Sequence, residues 1–286
     1  MTAETILVVG NGSLLASCLQ ALVCRTGFPV KCIETGSPAF SAIPNLCQRL
    51  GVQYSAATVG DALNQELESV QQATLVLSIH NIVIFSAACV ANRNLRIVNF
   101  HNSLLPRHPG RNAPSWAIYD MDEEAGITWQ EVEARVDAGG VIAQRRFPLT
   151  PRMTGIQATK SCVNLGLDCF GDILPSLLSG DYRVSPQVGQ RGKMHLAREV
   201  PNNGVFDGNW PVEKMSAFLR ALEYGAHAVF ERPKIYHNGV LRTISRYSLE
   251  FANDGADFRS SEDFDLAFSS NDLTVRLQLA SDSDHR

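Results

Sequence analysis

Apolar runs of strand length alternate with segments of helical spacing along the first two thirds of the chain. Runs rich in Val, Ile and Leu begin near residues 5, 29, 73 and 95. Between them, apolar residues recur three and four positions apart, which is typical of one face of a helix. The predicted helices cover residues 14–25, 39–50 and 60–71. This alternation predicts an α/β fold with a Rossmann-like, mostly parallel sheet and flanking helices.

The same reasoning extends past residue 110. Residues 112–121 have a helical pattern, and residues 127–134 and 141–147 form a predicted strand pair. Residues 153–179 have long helical spacing, with Thr154 as a suitable N-cap.

The composition turns polar near residues 187–192, where we place a domain boundary. Residues 1–190 would form the main domain, and residues 191–286 a small C-terminal α+β subdomain. Its predicted elements are a helix over 210–224, a hairpin turning at Asn238-Gly239 and a strand over 274–279.

The turn after the first strand resembles a dinucleotide-binding fingerprint but does not complete it. Gly10 and Gly12 are present, whereas the third glycine position is Leu15. Close approach of a pyrophosphate and tight helix packing require glycines there. We therefore interpret the segment as an ordinary strand–turn–helix and disfavour a nicotinamide dehydrogenase.

Composition excludes few classes of protein, but it favours one cellular compartment. Of the 286 residues, 45% are hydrophobic and 19% are charged, which is typical of a folded soluble protein. The net charge is −4 and basic residues are dispersed, so a nucleic-acid partner is disfavoured. Seven scattered cysteines form no Cys-x-x-Cys pair, so neither a metal site nor disulfides are predicted. Without a basic N-terminal region a secretory signal is not expected, and we predict a cytoplasmic protein.

Residues 69–92 contain no charged side chain, which is long enough to suggest a membrane span. Gln71, Gln72, His80 and Asn81 interrupt this run. Since such groups are costly in lipid, we predict a buried strand, a polar loop and the start of a helix instead. His80 is expected to be a loop histidine bonded to backbone.

The most informative stretch, V-N-F-H-N-S-L-L-P-R-H-P-G-R, begins at Val98 as a strand end and becomes a loop rich in proline. Asn99 and His101 are two positions apart, so their side chains project from one face of the strand. Asp137 follows His101 by thirty-six residues, in an Asp-Ala-Gly-Gly turn. An amide, an imidazole and a carboxylate on strand ends and loops can form an acyl-transfer site.

This spacing, together with the S-L-L-P segment starting at Ser103, resembles the folate-dependent formyltransferases. The similarity covers residues 73–180 best. The segments G-R-N-A-P-S-W, starting at Gly110, and G-I-T-W, starting at Gly126, most resemble formylation domains of nonribosomal peptide synthetases.

The resemblance implies an enzyme that transfers formyl from N10-formyltetrahydrofolate, its co-substrate, to a primary amine. It assigns the catalytic roles to Asn99, His101 and Asp137. Asn99 and His101 would donate to the developing oxyanion, and Asp137 would favour the imidazolium and relay a proton. The predicted folate contacts are Asn81, Ile82, Val83, Ser103 and Gly139.

Several residues near the motif have smaller expected roles. Ser103 shapes its loop, and His108 is expected to face solvent. Gln130 occupies a position where relatives often carry histidine, and Asn102 one where glycine, proline or aspartate is frequent. We expect neither departure to touch the three central residues. Arg111 could meet an acidic group or simply lie at the surface.

Three alternatives remain open for the acceptor and the activity. The favoured acceptor is an aminoacyl group on a carrier protein, with the carrier protein or an adenylation domain as partner. A free-standing amino-sugar nucleotide or methionyl-tRNA formyltransferase is the second possibility. A non-catalytic docking module of the same fold is the third.

Overall fold

The computed structural model describes residues 3–36, 41–57, 60–226, 229–252 and 264–280. The chain divides into two compact units, each built from several stretches of sequence. The first comprises Met1–Arg111, Gly126–Phe147 and Lys160–Met194; the second comprises Asn112–Ala125, Pro148–Thr159 and His195–Arg286. The single boundary near residue 190 stays a prediction.

Seven strands form the large sheet in the order β3-β2-β1-β4-β5-β6-β7. They are β1 Thr5–Gly10, β2 Val30–Thr35, β3 Gln53–Ala57, β4 Thr74–Ile79, β5 Leu95–His101, β6 Glu124–Glu131 and β7 Val141–Pro148. The first five strands pair in parallel, whereas β5 and β6 are antiparallel. The predicted Rossmann-like, mostly parallel sheet is therefore confirmed.

Helices cover both faces of this sheet. They are α1 Gly12–Val23, α2 Ile43–Leu50, α3 Gly60–Glu68, α4 Ala87–Ala91 and α6 Gly155–Ser179, whereas α5 Ala113–Tyr119 belongs to the second unit. Residues of α1, α2 and α6 join one core with the strands, around the buried Trp129 and Phe170. Leu63 and Leu67 of α3 pack with Cys89 of α4 in a second core. Burial on both faces explains why the central strands are almost continuously apolar.

One strand was not predicted, and the bounds of one helix differ from the prediction. The strand β3 was not predicted, because its sequence Q-Y-S-A-A lies at the sheet edge and buries only Ala57. The helix α1 begins two residues earlier than predicted and ends at Val23. Thr154 precedes α6 as expected, and its backbone N–H donates to Gln157 Oε1 at 2.9 Å.

The uncharged run over residues 69–92 folds as predicted into β4, a loop and α4. Among the residues with described positions, no helix is long and apolar enough to cross a membrane.

The second unit has its own sheet, in the order β11-β12-β10-β9-β8, and one longer helix. These elements are β8 Val205–Phe206, α7 Val212–Ala221, β9 Lys234–His237, β10 Val240–Phe251, β11 Leu266–Ser269 and β12 Leu273–Leu279. Phe218 of α7 and Val275 of β12 are completely buried in its core. The predicted hairpin is confirmed, with φ of 49° at Asn238 and 77° at Gly239 between β9 and β10.

Candidate active site

Asn99 lies near the carboxyl end of β5, directly between Ser78 of β4 and Gln130 of β6. The Ser78 hydroxyl donates to Asn99 Oδ1 at 2.8 Å. Because this bond holds the amide oxygen, the N–H2 group of Asn99 is turned away from β4 and available to a ligand. The register of the sheet thus orients a permanent hydrogen-bond donor.

His101 ends the same strand, with a hydrogen bond at one ring nitrogen and a carboxylate near the other. Its Nε2 donates to the backbone oxygen of His108 at 3.0 Å. Its Nδ1 lies 3.7 Å from Asp137 Oδ1, with side-chain exposures of 8% for His101 and 10% for Asp137. A carbonyl can only accept, so Nε2 carries a hydrogen while this bond persists. In the neutral ring, Nδ1 on the Asp137 side is then the nitrogen with the lone pair.

Asp137 sits in a left-handed backbone conformation, with φ of 51°. The Gly110 N–H donates to its Oδ2 at 2.7 Å, and Gln130 Nε2 donates to its Oδ1 at 3.2 Å. Each carboxylate oxygen of Asp137 thus accepts from one donor, which fixes the orientation of the side chain. The expectation that Gln130 would not touch the three central residues is therefore wrong, because the antiparallel pairing of β5 and β6 places Gln130 beside them.

The Asp137 turn requires glycine at position 139. A Cβ added at Gly139 would lie 1.7 Å from the backbone oxygen of Glu131. The turn is pressed against the end of β6, where Glu131 N–H also donates to the Gly140 oxygen at 2.9 Å. Gly139 thus supports the position of Asp137, and its predicted contact with folate stays a prediction.

We expect Gly139→Ala to destabilise the protein by about 3 kcal/mol, because the backbone must move to relieve the overlap. Urea unfolding followed by circular dichroism measures the change. The control is Gly171→Ala in α6, where an added Cβ meets nothing within 4 Å. That change should be neutral or stabilising by up to about 1 kcal/mol, since alanine favours helix. Equal stability of the two variants would contradict the close packing of the turn.

The loop after β4 contains the other predicted folate contacts. The Asn81 side chain is occupied within the loop, since it donates to the Val83 oxygen at 2.9 Å and accepts from the Val83 N–H at 3.0 Å. Ile82 is 47% exposed. Ser103 lies elsewhere, where its hydroxyl donates to the Arg107 oxygen at 2.6 Å and so shapes its own loop.

His108 was expected to face solvent, but it is buried at 9% exposure. It adopts φ of 46°, which turns its backbone oxygen onto His101. The segment at Gly192 covers it from the other side, where an added Cβ would lie 3.0 Å from the His108 nitrogen. A neighbouring segment distant in sequence therefore buries this loop, which no local pattern could indicate.

His80 follows β4 and bonds to a side chain, not to backbone as predicted. Its Nε2 donates to Asn102 Oδ1 at 3.2 Å. Burial lowers the pKa of His80, and the positive charges of Arg111 and His101 add to this, against the opposing bond to Asn102. The imidazole is therefore neutral at neutral pH.

The lowered pKa of His80 makes stability depend on pH. Since the unfolded chain binds a proton near pH 6.5 and the folded chain resists it, stability is lost as pH falls below about 6.5. We expect His80→Gln, which keeps a donor for Asn102, to lose less Tm than wild type between about pH 7.5 and about pH 5.5. Calorimetric scans at both pH values test this, with His237→Gln in the β9–β10 hairpin as control. Parallel losses in all three proteins would refute it.

Sequence reasoning missed three residues that support the site: Ser78, Gln187 and Arg191. Gln187 Nε2 donates to the Asp137 and Gly139 oxygens at 3.1 and 2.9 Å. Arg191 donates to the Asp137 oxygen at 2.9 Å and to the Val136 oxygen at 2.6 Å. Of the three, only Ser78 could have been found from the sequence, because it lies near the end of the predicted strand next to β5. In the described part of the chain, no group of three or more His, Cys, Asp or Glu side chains could hold a metal ion.

Fold and site define a doubly wound α/β protein with an amide, an imidazole and a carboxylate at the carboxyl edge of its sheet, where such folds bind ligands. The chain belongs to the formyl transferase family, whose sequence profile matches residues 4–168.

Among curated relatives, GDP-perosamine N-formyltransferase of Brucella melitensis is 23% identical over 60% of this chain and 65% of its own. Methionyl-tRNA formyltransferase of Streptococcus pneumoniae is 38% identical over 32% of this chain and 29% of its own. The chain thus spans less than two thirds of the length of these relatives.

A similar solved structure is the N-formyltransferase from Helicobacter canadensis in complex with folinic acid and dTDP-3-aminofucose. It has a TM-score of 0.75 and 15% identity, covering 97% of this chain and all of the other. At this level of identity the likeness supports the fold.

Proposed function

We propose that this protein is an N-formyltransferase that moves a formyl group from N10-formyltetrahydrofolate to a primary amine. The observation that carries this proposal is the buried His101–Asp137 contact beside Asn99, at the carboxyl edge of the parallel sheet. Membership of the formyl transferase family supports the same chemistry.

The three side chains divide the work of such a transfer. The bound donor would supply an electrophilic formyl carbon. Asn99 offers its N–H2 group to the oxygen that gains negative charge as the amine attacks. His101 can take the proton of the attacking amine at Nδ1, and the Asp137 carboxylate stabilises that proton by its charge. The proton would then pass to N10 as the bond between N10 and the formyl carbon breaks, so that tetrahydrofolate leaves and the formylated amine remains.

The loop between β4 and α4 is the proposed place of the folate ring. Because the Asn81 amide is used within the loop, contacts to the ring would come from backbone groups and from the exposed Ile82. Polar backbone groups beside an apolar side chain suit a flat ring with polar edges.

Three segments contact one another at the site: residues 107–111, 135–140 and 183–193. Asp137 is the only acidic residue in them. Their basic residues are Arg107, Arg111, Arg135, Arg183, Arg191 and Lys193. Glu131 and Glu133 lie just outside these segments, and the backbone of both borders Gly139. Arg191 is bound to the Asp137 backbone, and we take its positive charge, with that of Arg111 near His80, to favour an acceptor that bears phosphate or other negative charge.

For the acceptor we propose an aminoacyl group on a carrier protein, supported by the segments starting at Gly110 and Gly126. The second candidate is an amino-sugar nucleotide, which is favoured by the Brucella relative acting, by its name, on GDP-perosamine. Both acceptors carry phosphate, so the basic segments suit either.

The test is to incubate the protein with N10-formyltetrahydrofolate and each acceptor separately, and to detect formylated product by mass spectrometry. The acceptors are an aminoacyl carrier protein, GDP- and dTDP-linked amino sugars, and methionyl-tRNA. We expect formylation of the carrier-bound amine. Product only with an amino sugar would replace the acceptor assignment, and product with none of them would refute the proposed activity.

A further inference from the structure

The orientation of Asp137 depends on a buried glutamine, Gln130, which is not one of the predicted catalytic or folate-binding residues. Gln130 is only 2% exposed and lies on β6, opposite Asn99. Its Nε2 donates to Asp137 Oδ1, the same oxygen that faces His101 Nδ1. If this amide were reversed, its oxygen would face the carboxylate and repel it. The site therefore requires one of two amide orientations that are nearly equal in shape.

Gln187 supports the orientation of Gln130 in which its amide donates to Asp137. Gln187 Nε2 lies 3.1 Å from the Asp137 backbone oxygen, 2.9 Å from the Gly139 oxygen and 3.3 Å from Gln130 Oε1. The two backbone oxygens can only accept, so the nitrogen end of Gln187 must face them. The Gln130 oxygen then faces this nitrogen, and the Gln130 N–H2 group is left to face Asp137.

Arg191 fixes the backbone on which this relay depends. Its guanidinium donates to the backbone oxygens of Val136 and Asp137. Asp137 is the residue in the left-handed conformation. A forked pair of donors suits two successive carbonyls. The segment containing Gln187 and Arg191 thus holds both the backbone and, through Gln130, the carboxylate of Asp137.

We propose that Gln187 is a positioning residue for formyl transfer, acting through Gln130 to hold the Asp137 carboxylate beside His101 Nδ1. This inference rests on the proposed function. Gln187 has no contact of its own with Asn99 or His101 among the described residues, so its effect is transmitted by hydrogen bonds and not by contact with the reacting groups.

The test compares Gln187→Met with wild type in the formylation assay, using whichever acceptor the wild type formylates. Methionine has similar size and no donor, so Gln130 Oε1 loses the hydrogen bond that helps to hold its amide against Asp137. We expect kcat to fall about 10- to 100-fold, as for a misplaced catalytic group, with the KM for the formyl donor within about twofold of wild type. The acid limb of the kcat–pH profile should move to lower pH, because a displaced Asp137 carboxylate stabilises protonated His101 less.

Gln144→Met is the matched control. Gln144 is also half-buried and donates to the Leu105 backbone oxygen at 2.8 Å and to Thr128 Oγ1 at 2.9 Å, away from Asp137. It should lose similar stability but keep the wild-type pH profile. A Gln187→Met profile that superimposes on wild type, with kcat reduced no more than in the control, would overturn the inference.

Gln130→Glu is a second variant for the same kcat–pH measurement, in case Gln187→Met folds poorly. It replaces the donor on Asp137 Oδ1 by a second carboxylate near His101, so the acid limb should move to higher pH, because two carboxylates stabilise protonated His101 more than one. An unchanged limb in this variant would also overturn the inference. A wild-type protein inactive with every acceptor would overturn the proposed function and this inference together, whereas an active wild type with unchanged variants overturns only the inference.

Discussion

His101→Ala should lower kcat/KM for formyl transfer by about 10²- to 10⁴-fold, the usual contribution of a positioned acid–base group. The variant loses the imidazole placed to accept a proton beside Asp137, at 3.7 Å from its carboxylate. It also leaves the His108 backbone oxygen without its imidazole donor. Steady-state kinetics with the accepted amine measure the loss, and binding of a folate analogue measures whether the site remains formed.

The same variant separates an enzyme from a docking module of this fold. His237→Ala, in the β9–β10 hairpin of the second unit, is the control and should keep wild-type turnover. Tm measurements on both variants show whether His101→Ala is folded. A folded His101→Ala protein with undiminished turnover would exclude the proposed role of His101, and a wild type that binds folate without turnover would favour the docking module.

Asn99→Ala should reduce kcat by about 10²- to 10³-fold, as expected for removal of one well-placed donor to a developing oxyanion. The KM for the formyl donor should change much less, because the interaction strengthens as charge develops. Asn99→Asp should be at least as impaired, since it places an acceptor where a donor is needed. Single-turnover formylation measures the chemical step directly.

Two further variants frame this result. Ser78→Ala removes only the bond that orients the Asn99 amide, so its loss should be smaller, about tenfold. Asn94→Ala removes an amide just before β5 that donates to the Val70 backbone oxygen at 3.2 Å, and it should leave kcat unchanged. If Asn99→Ala and Asn94→Ala had equal kcat, Asn99 would not be an oxyanion donor.

Most of the fold follows from local pattern. The apolar runs gave the central strands, and the Asn238-Gly239 pair gave the hairpin, because strand burial and turn conformation depend on residues close in sequence. The strand β3 escaped prediction because an edge strand needs few apolar residues. The helix ends shifted by a few residues because helix termini depend on packing as well as on sequence.

The site was predictable only where its residues lie on recognisable strand ends and turns. Asn99 and His101 share a face of one strand, and Asp137 begins a turn with two successive glycines. Gln130, by contrast, looked like a departure without consequence, yet it donates to Asp137. His108 looked exposed, yet it is buried and its backbone oxygen accepts from His101.

Residue types and short-range spacing were enough to predict the parallel α/β sheet, the family, and the amide, imidazole and carboxylate of the site. The packing of distant segments was needed to show that Gln187 and Arg191, about fifty residues beyond Asp137, hold the Asp137 turn. Hydrogen bonds between distant segments depend on how strands and loops pack in space, and single glutamines or arginines in a polar stretch carry no pattern that foretells their partners.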